Sequence, residues 1–180
     1  PDGPIILCLY AGPDGHEAID WAIQLVAPWL TPFVLALDTL RDATRHNMLS
    51  DDLYAHLAAK ARHGEILAIL GGPNCRTWSI LLHKPLPNGT PGHPLRGREE
   101  PACWGLGDLT PEERLKTDDD SILALRLLEL YAIARDHEHD PAFLMEHPED
   151  PAVHSVEPTA DTCSTIWETN AAQAFQHTYG

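Results

Sequence analysis

A cysteine set in a glycine-proline loop is the first place to look for chemistry in this 180-residue chain. Cys75 follows an apolar run and Gly71-Gly72-Pro73-Asn74, and precedes Arg76-Thr77-Trp78-Ser79. The glycines let the backbone turn sharply and approach a ligand closely. A helix start and Arg76 beside the thiol favour the thiolate, which is the nucleophilic form. A lone cysteine is more commonly an inert small hydrophobe, but a strand end inside such a loop points to a nucleophile. Glu146 closes a second apolar run, Ala142-Phe143-Leu144-Met145. A carboxylate there is costly to bury without a partner. It either caps a loop or bonds a heterocyclic ring nitrogen.

A third position is the glycine turn Leu9-Tyr10-Ala11-Gly12-Pro13-Asp14-Gly15, between the first apolar run and the first helical stretch. That is the usual place for a nucleotide cofactor, although one turn is a weak signal. Asp38 ends the second apolar run, 23 residues after Gly15, where an acid binds ribose hydroxyls in doubly wound folds. Arg96-Gly97-Arg98, with Lys84 and Arg76, forms the only local basic cluster; phosphate contact and an ordinary solvated loop are equally open. Trp104 and Trp78 can stack on a base, Trp78 being better suited to core packing. Asp136-His137-Glu138-His139-Asp140 looks like a metal cluster, but alternate side chains diverge, and a solvated helix end is expected instead. No metal is expected.

The elements that must position these residues alternate. Residues 4–10, 33–37, 65–70 and 142–145 are short apolar runs of the buried parallel-strand type. Between them, residues 16–27, 51–62 and 118–135 carry helical periodicity, and 165–176 is one more helical candidate. Residues 82–111 are rich in Pro and Gly and lack periodicity, so a long loop is expected, up to 117 in all. The alternation predicts a single α/β domain, a three-layer doubly wound, mostly parallel sheet with ligands at the strands' carboxyl ends.

Composition sets the limits. A hydrophobic content of 43% suits a folded domain, and no apolar run reaches membrane-spanning length. The start lacks the features of a signal peptide and an initiator Met, which suggests a segment of a longer protein. Cys8, Cys75, Cys103 and Cys163 form no CxxC pair, so a reduced intracellular setting, the nucleus included, is expected. Twenty-seven acidic residues against 12 basic ones, a formal charge of −15, argue against tight nucleic-acid binding by this chain alone.

Together these pieces resemble the DNA cytosine-5 methyltransferase family over roughly residues 4–150. The family's aromatic-x-Gly-x-Gly cofactor turn is similar to Tyr10 to Gly15, one residue longer here. Its ribose-binding acid aligns with Asp38, and its adenine-contacting Asp-Ile with Asp52-Leu53. Its nucleophile motif resembles Gly71-Gly72-Pro73-Asn74-Cys75-Arg76-Thr77-Trp78-Ser79, with Asn74 for proline and Arg76 for glutamine. Its Asp-x-Arg-x-x-Leu helix resembles Asp119 to Leu123, and its Glu-Asn-Val becomes Glu146-His147-Pro148. The resemblance implies S-adenosylmethionine as cofactor, with Tyr10, Gly12, Gly15, Asp38, Asp52, Leu53 and Pro73 around it. It implies DNA as partner, with Cys75 attacking C6 of a flipped cytosine while Glu146 bonds its N3 edge. The family's later arginine-bearing strands and recognition region have no counterpart here. The alternatives are a non-catalytic binding module of this fold, or an enzyme of the same fold acting on another substrate.

Overall fold

A computed structural model describes residues 3–16, 18–137, 140–148 and 165–180. Cys163, and Glu138 and His139 of the candidate metal cluster, lie outside them. The chain divides into two compact units, each made of two separate stretches. The first is Pro1–Pro73 with Leu125–Glu146; the second is Asn74–Ala124 with His147–Gly180.

The first unit is an α/β structure around four parallel strands, β1 (Ile5–Leu9), β2 (Val34–Leu37), β3 (Ile66–Gly71) and β4 (Ala142–Met145). Their order is β2-β1-β3-β4, and the register aligns Leu9 with Leu37 and Gly71, and Gly71 with Met145. Every residue of β1 is buried, whereas β4, at the sheet edge, alternates between exposed and half-buried. The continuous apolar sequence of β1 follows from that central place. Ile6 and Cys8 pack with Ala11 against Ile19 and Ile23 of helix α1 (Ile19–Val26). Helix α2 (Asp51–Arg62) is capped by Ser50, whose hydroxyl accepts the Leu53 N–H, and it carries Asp51 and Asp52 in its first turn and Lys60 and Arg62 in its last. Both charge placements favour the helix dipole.

Helix α3 (Pro111–Arg135) runs through the unit boundary in sequence, contributing Leu125–Arg135 to the first unit. There a Cβ on Gly71 would meet Leu127 at 3.0 Å, so the missing side chain is what admits the helix so close to β3. Tyr131 stacks on Phe143 of β4, and Arg126 donates to the Met48 carbonyl, pairs with Asp51 and lies over the Tyr54 ring.

The second unit is mostly loop and short 3₁₀ turns (Ile80–His83, Ala102–Trp104, Ile166–Glu168), with the first half of α3 and helix α4 (Asn170–Tyr179). A Cβ on Gly92 would strike the His83 backbone at 2.4 Å, so the loop closes on itself only with glycine there. Thr169 caps α4 by accepting the Ala172 N–H. Three helices begin away from their expected starts, the tail helix at Asn170 instead of Thr165. The cap of α1 is Ala18 and its first residue Ile19, and α3 begins at Pro111 instead of Asp118. Among the described residues no helix is long and apolar enough to cross a membrane.

Candidate functional site

Three parallel strands that end level leave a hollow beyond their carboxyl ends, since the chain must turn away from each. In the first unit a cavity of about 330 Å³ lies there, lined by Leu9, Tyr10, Ala11, Ile19, Leu70, Gly71, Gly72, Leu144 and Glu146. Tyr10 leaves β1 in the left-handed region, at φ 58°, and Gly12 follows at φ 77°. This is how the turn bends back over the strand ends. Burial pushes the Tyr10 hydroxyl well above the ordinary tyrosine range, so it stays neutral. Glu146 is anchored by its own N–H, which donates to the Gly71 carbonyl at 2.9 Å. A Cβ on Gly72 would come within 3.1 Å of the Glu146 Oε2, so Gly72 leaves the carboxylate its room.

The glycine turn is held by two side chains from the far end of β2. Asp38 accepts the Gly12 N–H on Oδ2 at 2.9 Å and the Leu40 N–H on Oδ1 at 2.7 Å. Arg41 donates from Nε to the Gly12 carbonyl at 2.7 Å, and its two terminal nitrogens clasp Asp20 at 2.8 and 2.7 Å. Asp14 lies 3.2 Å from the same guanidinium. That clasp drives the Asp20 carboxyl down, chiefly through the hydrogen bond from Arg41. Each Asp38 oxygen keeps a second lone pair for a ligand. Of the expected site residues in this unit, Tyr10 and Glu146 line the cavity. Gly12, Gly15, Asp38, Asp52, Leu53 and Pro73 do not; Asp52 is exposed on the first turn of α2, and Pro73 is buried. Arg41 was not singled out in the sequence, where it is one basic residue in a polar loop.

The second unit holds the cysteine. Cys75 is half-buried in a turn closed by the Trp78 N–H, which donates to the Cys75 carbonyl at 2.9 Å. Asn74 accepts the Arg76 N–H at 3.3 Å. Behind the turn stands Asp120 of α3, with no exposed surface. It receives the Thr77 N–H at 3.2 Å, the Thr77 hydroxyl at 2.8 Å and the Arg76 Nε–H at 3.1 Å. Burial pushes the Asp120 carboxyl up, against the hydrogen bonds from Thr77 and Arg76.

Arg96 fits neither of the two readings open for residues 96–98, a phosphate contact or a solvated loop. Its side chain is only 2% exposed. It donates to the Thr77 hydroxyl, the Thr117 and Cys103 carbonyls and the Ser121 hydroxyl, and its guanidinium lies 3.7 Å from the Trp78 ring centroid. Burial pulls its pKa down to about 10, which still leaves it charged at neutral pH. Arg76 and Arg98 are committed too, to Asp120 and Glu168. Trp78 is buried, in the core as expected, edge-on to Trp104 and to His147. His147 also meets Trp167 edge-on, and burial pulls its pKa down to about 4. Among the described residues no group of three His, Cys, Asp or Glu side chains is placed to hold a metal ion. No protein-family model, no curated protein and no solved structure matches this chain.

Proposed function

We propose that the first unit binds S-adenosylmethionine and that the chain is a catalytic core of the DNA cytosine-5 methyltransferase type. In this reading its parallel sheet is the centre of a three-layer doubly wound domain. The observation that carries it is the cavity at the ends of β1, β3 and β4, between the Tyr10 turn and Glu146. Its charges speak for a nucleoside without phosphates. Asp14, Asp20 and Asp38 surround the turn, Arg41 is already bonded to it, and the Gly12 N–H that would meet a diphosphate is given to Asp38. A dinucleotide would bring negative charge onto negative charge.

Tyr10 and Ala11 would hold the cofactor, with Gly12 and Gly15 shaping the turn and Asp38 offering its remaining lone pairs to ribose hydroxyls. Asp52, Leu53 and Pro73 are added by the resemblance alone. When bound, the cofactor supplies an electrophilic methyl group. By the resemblance alone, the Cys75 thiolate would add to C6 of the pyrimidine as the C5–C6 double bond opens and would leave again when the C5 proton is lost, with Glu146 hydrogen-bonding the N3 edge. Calorimetric titration with S-adenosylhomocysteine and with NAD tests the cofactor half. Micromolar binding of the first, none of the second, and loss in Asp38→Ala are expected. A folded chain that takes up neither sinks the proposal.

Charge favours a second reading, a binding module that keeps the cofactor site without the chemistry. Arg41, Arg45, Lys60, Arg76, Arg98, Lys116, Arg126 and Arg135 all pair with carboxylates, which leaves little cation for a phosphate backbone. An oligonucleotide carrying 5-fluorocytosine separates the two. A covalent adduct on Cys75 supports the enzyme, and cofactor binding without an adduct supports the module.

A further inference from the structure

The three residues after Cys75 are each tied to a fixed partner inside the second unit. Arg76 donates to Asp120 at 3.1 Å, and Trp78 returns its N–H to Cys75 while its ring carries the Arg96 guanidinium. Thr77 is the joint between them. Its hydroxyl donates to the buried Asp120 carboxylate at 2.8 Å and accepts from Arg96 at 3.1 Å through Nε and 2.9 Å through Nη2. One oxygen atom therefore links a buried anion to a buried cation. Low dielectric makes such a chain strong while complete and costly once broken. Stability alone is a weak reason for such a network, since an apolar replacement of similar volume is often as stable. What the network supplies is a single conformation for the turn.

We propose that Thr77, Asp120 and Arg96 are positioning residues for Cys75, fixing where its sulfur starts toward a substrate atom. The proposal rests on Cys75 being the nucleophile. Reacting atoms must be held within about 3–3.5 Å of each other, and a displacement near 1 Å slows a reaction about a hundredfold. Asp120 and Arg96 act through Thr77, and none of the three needs to touch substrate.

The test is the rate at which iodoacetamide alkylates Cys75 at neutral pH, read by peptide mass spectrometry on the whole chain. It requires neither cofactor nor nucleic acid, so its result stands apart from that of the titration above. Thr77→Val keeps the shape and removes all three hydroxyl bonds. It should speed alkylation of Cys75 by about tenfold, the equivalent of one broken buried hydrogen bond. Thr77→Ser restores the oxygen and should restore the rate. Ile166→Val weakens the same unit's core by about 0.5–1.5 kcal/mol without touching the network, and should leave the rate at wild type. A wild-type rate in Thr77→Val, or equal acceleration in Ile166→Val, overturns the proposal. If Thr77→Val fails to fold, seen as alkylation of buried Cys103, Arg96→Lys replaces it, keeping the buried charge and giving up the two-pronged bond to Thr77. Acceleration there supports the proposal and a wild-type rate overturns it.

Discussion

Among the described residues no hydrogen-bond partner meets either ring nitrogen of His147, and none meets the indole N–H of Trp78 beside it. A histidine in aromatic surroundings near Arg96 resists a proton, which is why its pKa falls to about 4 from an ordinary 6.5. The unfolded chain takes that proton near pH 6.5 and the folded chain does not. Stability from this group is therefore complete above pH 6.5 and declines as pH falls toward 4, by about 3 kcal/mol at most. Urea unfolding at pH 7 and pH 4.5 should show that loss. His147→Phe should remove most of the difference; an unchanged slope would refute the assignment. Gly72→Ala tests the other unit. Its Cβ would displace the Glu146 carboxylate while costing the fold no more than about 1 kcal/mol. Binding of S-adenosylhomocysteine should weaken several-fold at a nearly constant melting temperature. Arg96 marks the limit of what residues show by themselves. Thr77 and Asp120 stand 43 positions apart and Arg96 lies between them in a loop without periodicity. No local pattern distinguishes a buried joint from a solvated cation. Tyr10 and Glu146, by contrast, were legible because each directly follows a strand of unbroken apolar sequence, and strand ends fix where side chains go.

Helix α3 shows how an element's start is written. Apolar periodicity begins near Ser121, and reading periodicity alone puts the helix start at Asp118. Seven residues earlier stand Thr110, Pro111 and Glu113, which form a reciprocal cap with proline at the first helical position. Glu113 donates its N–H to the Thr110 hydroxyl and accepts the Thr110 N–H at 2.9 Å. The first turns lack an apolar stripe because Pro111, Glu112 and Leu115 face solvent. Thr110→Ala should cost about 1 kcal/mol in urea unfolding, and Thr110→Ser almost nothing. Equal losses would assign the stability to packing. The four strands were legible within one or two residues because buried parallel strands need no alternation. Helix α1 gives up Ala27 at its end because Ala27 precedes Pro28, and a residue before proline disfavours the helical region. The tail helix starts at Asn170 because Thr169, buried and extended in backbone, caps it by accepting the Ala172 N–H.

At the scale of the whole molecule the two units interleave along the chain. The first is left incomplete at Pro73 and is finished only by Leu125–Glu146, which bring the second half of α3 and strand β4. Residues 1–73 alone would present β3 with a bare edge and without Leu127 beside it. Such a fragment should show no cooperative thermal transition by circular dichroism, and a sharp one would mean that three strands suffice. The formal charge of −15 keeps like surfaces apart and so limits association. The interleaving also bears on synthesis. At about 5–20 residues per second, a ribosome needs roughly 4–15 seconds to travel from the end of β3 to the end of β4. For that time the newborn chain carries a strand of Ile, Leu and Ala with one edge unpaired, open to any neighbouring nascent polypeptide. Expression yield should therefore depend on whether chaperones that shield extended apolar segments reach the chain before residue 146 emerges.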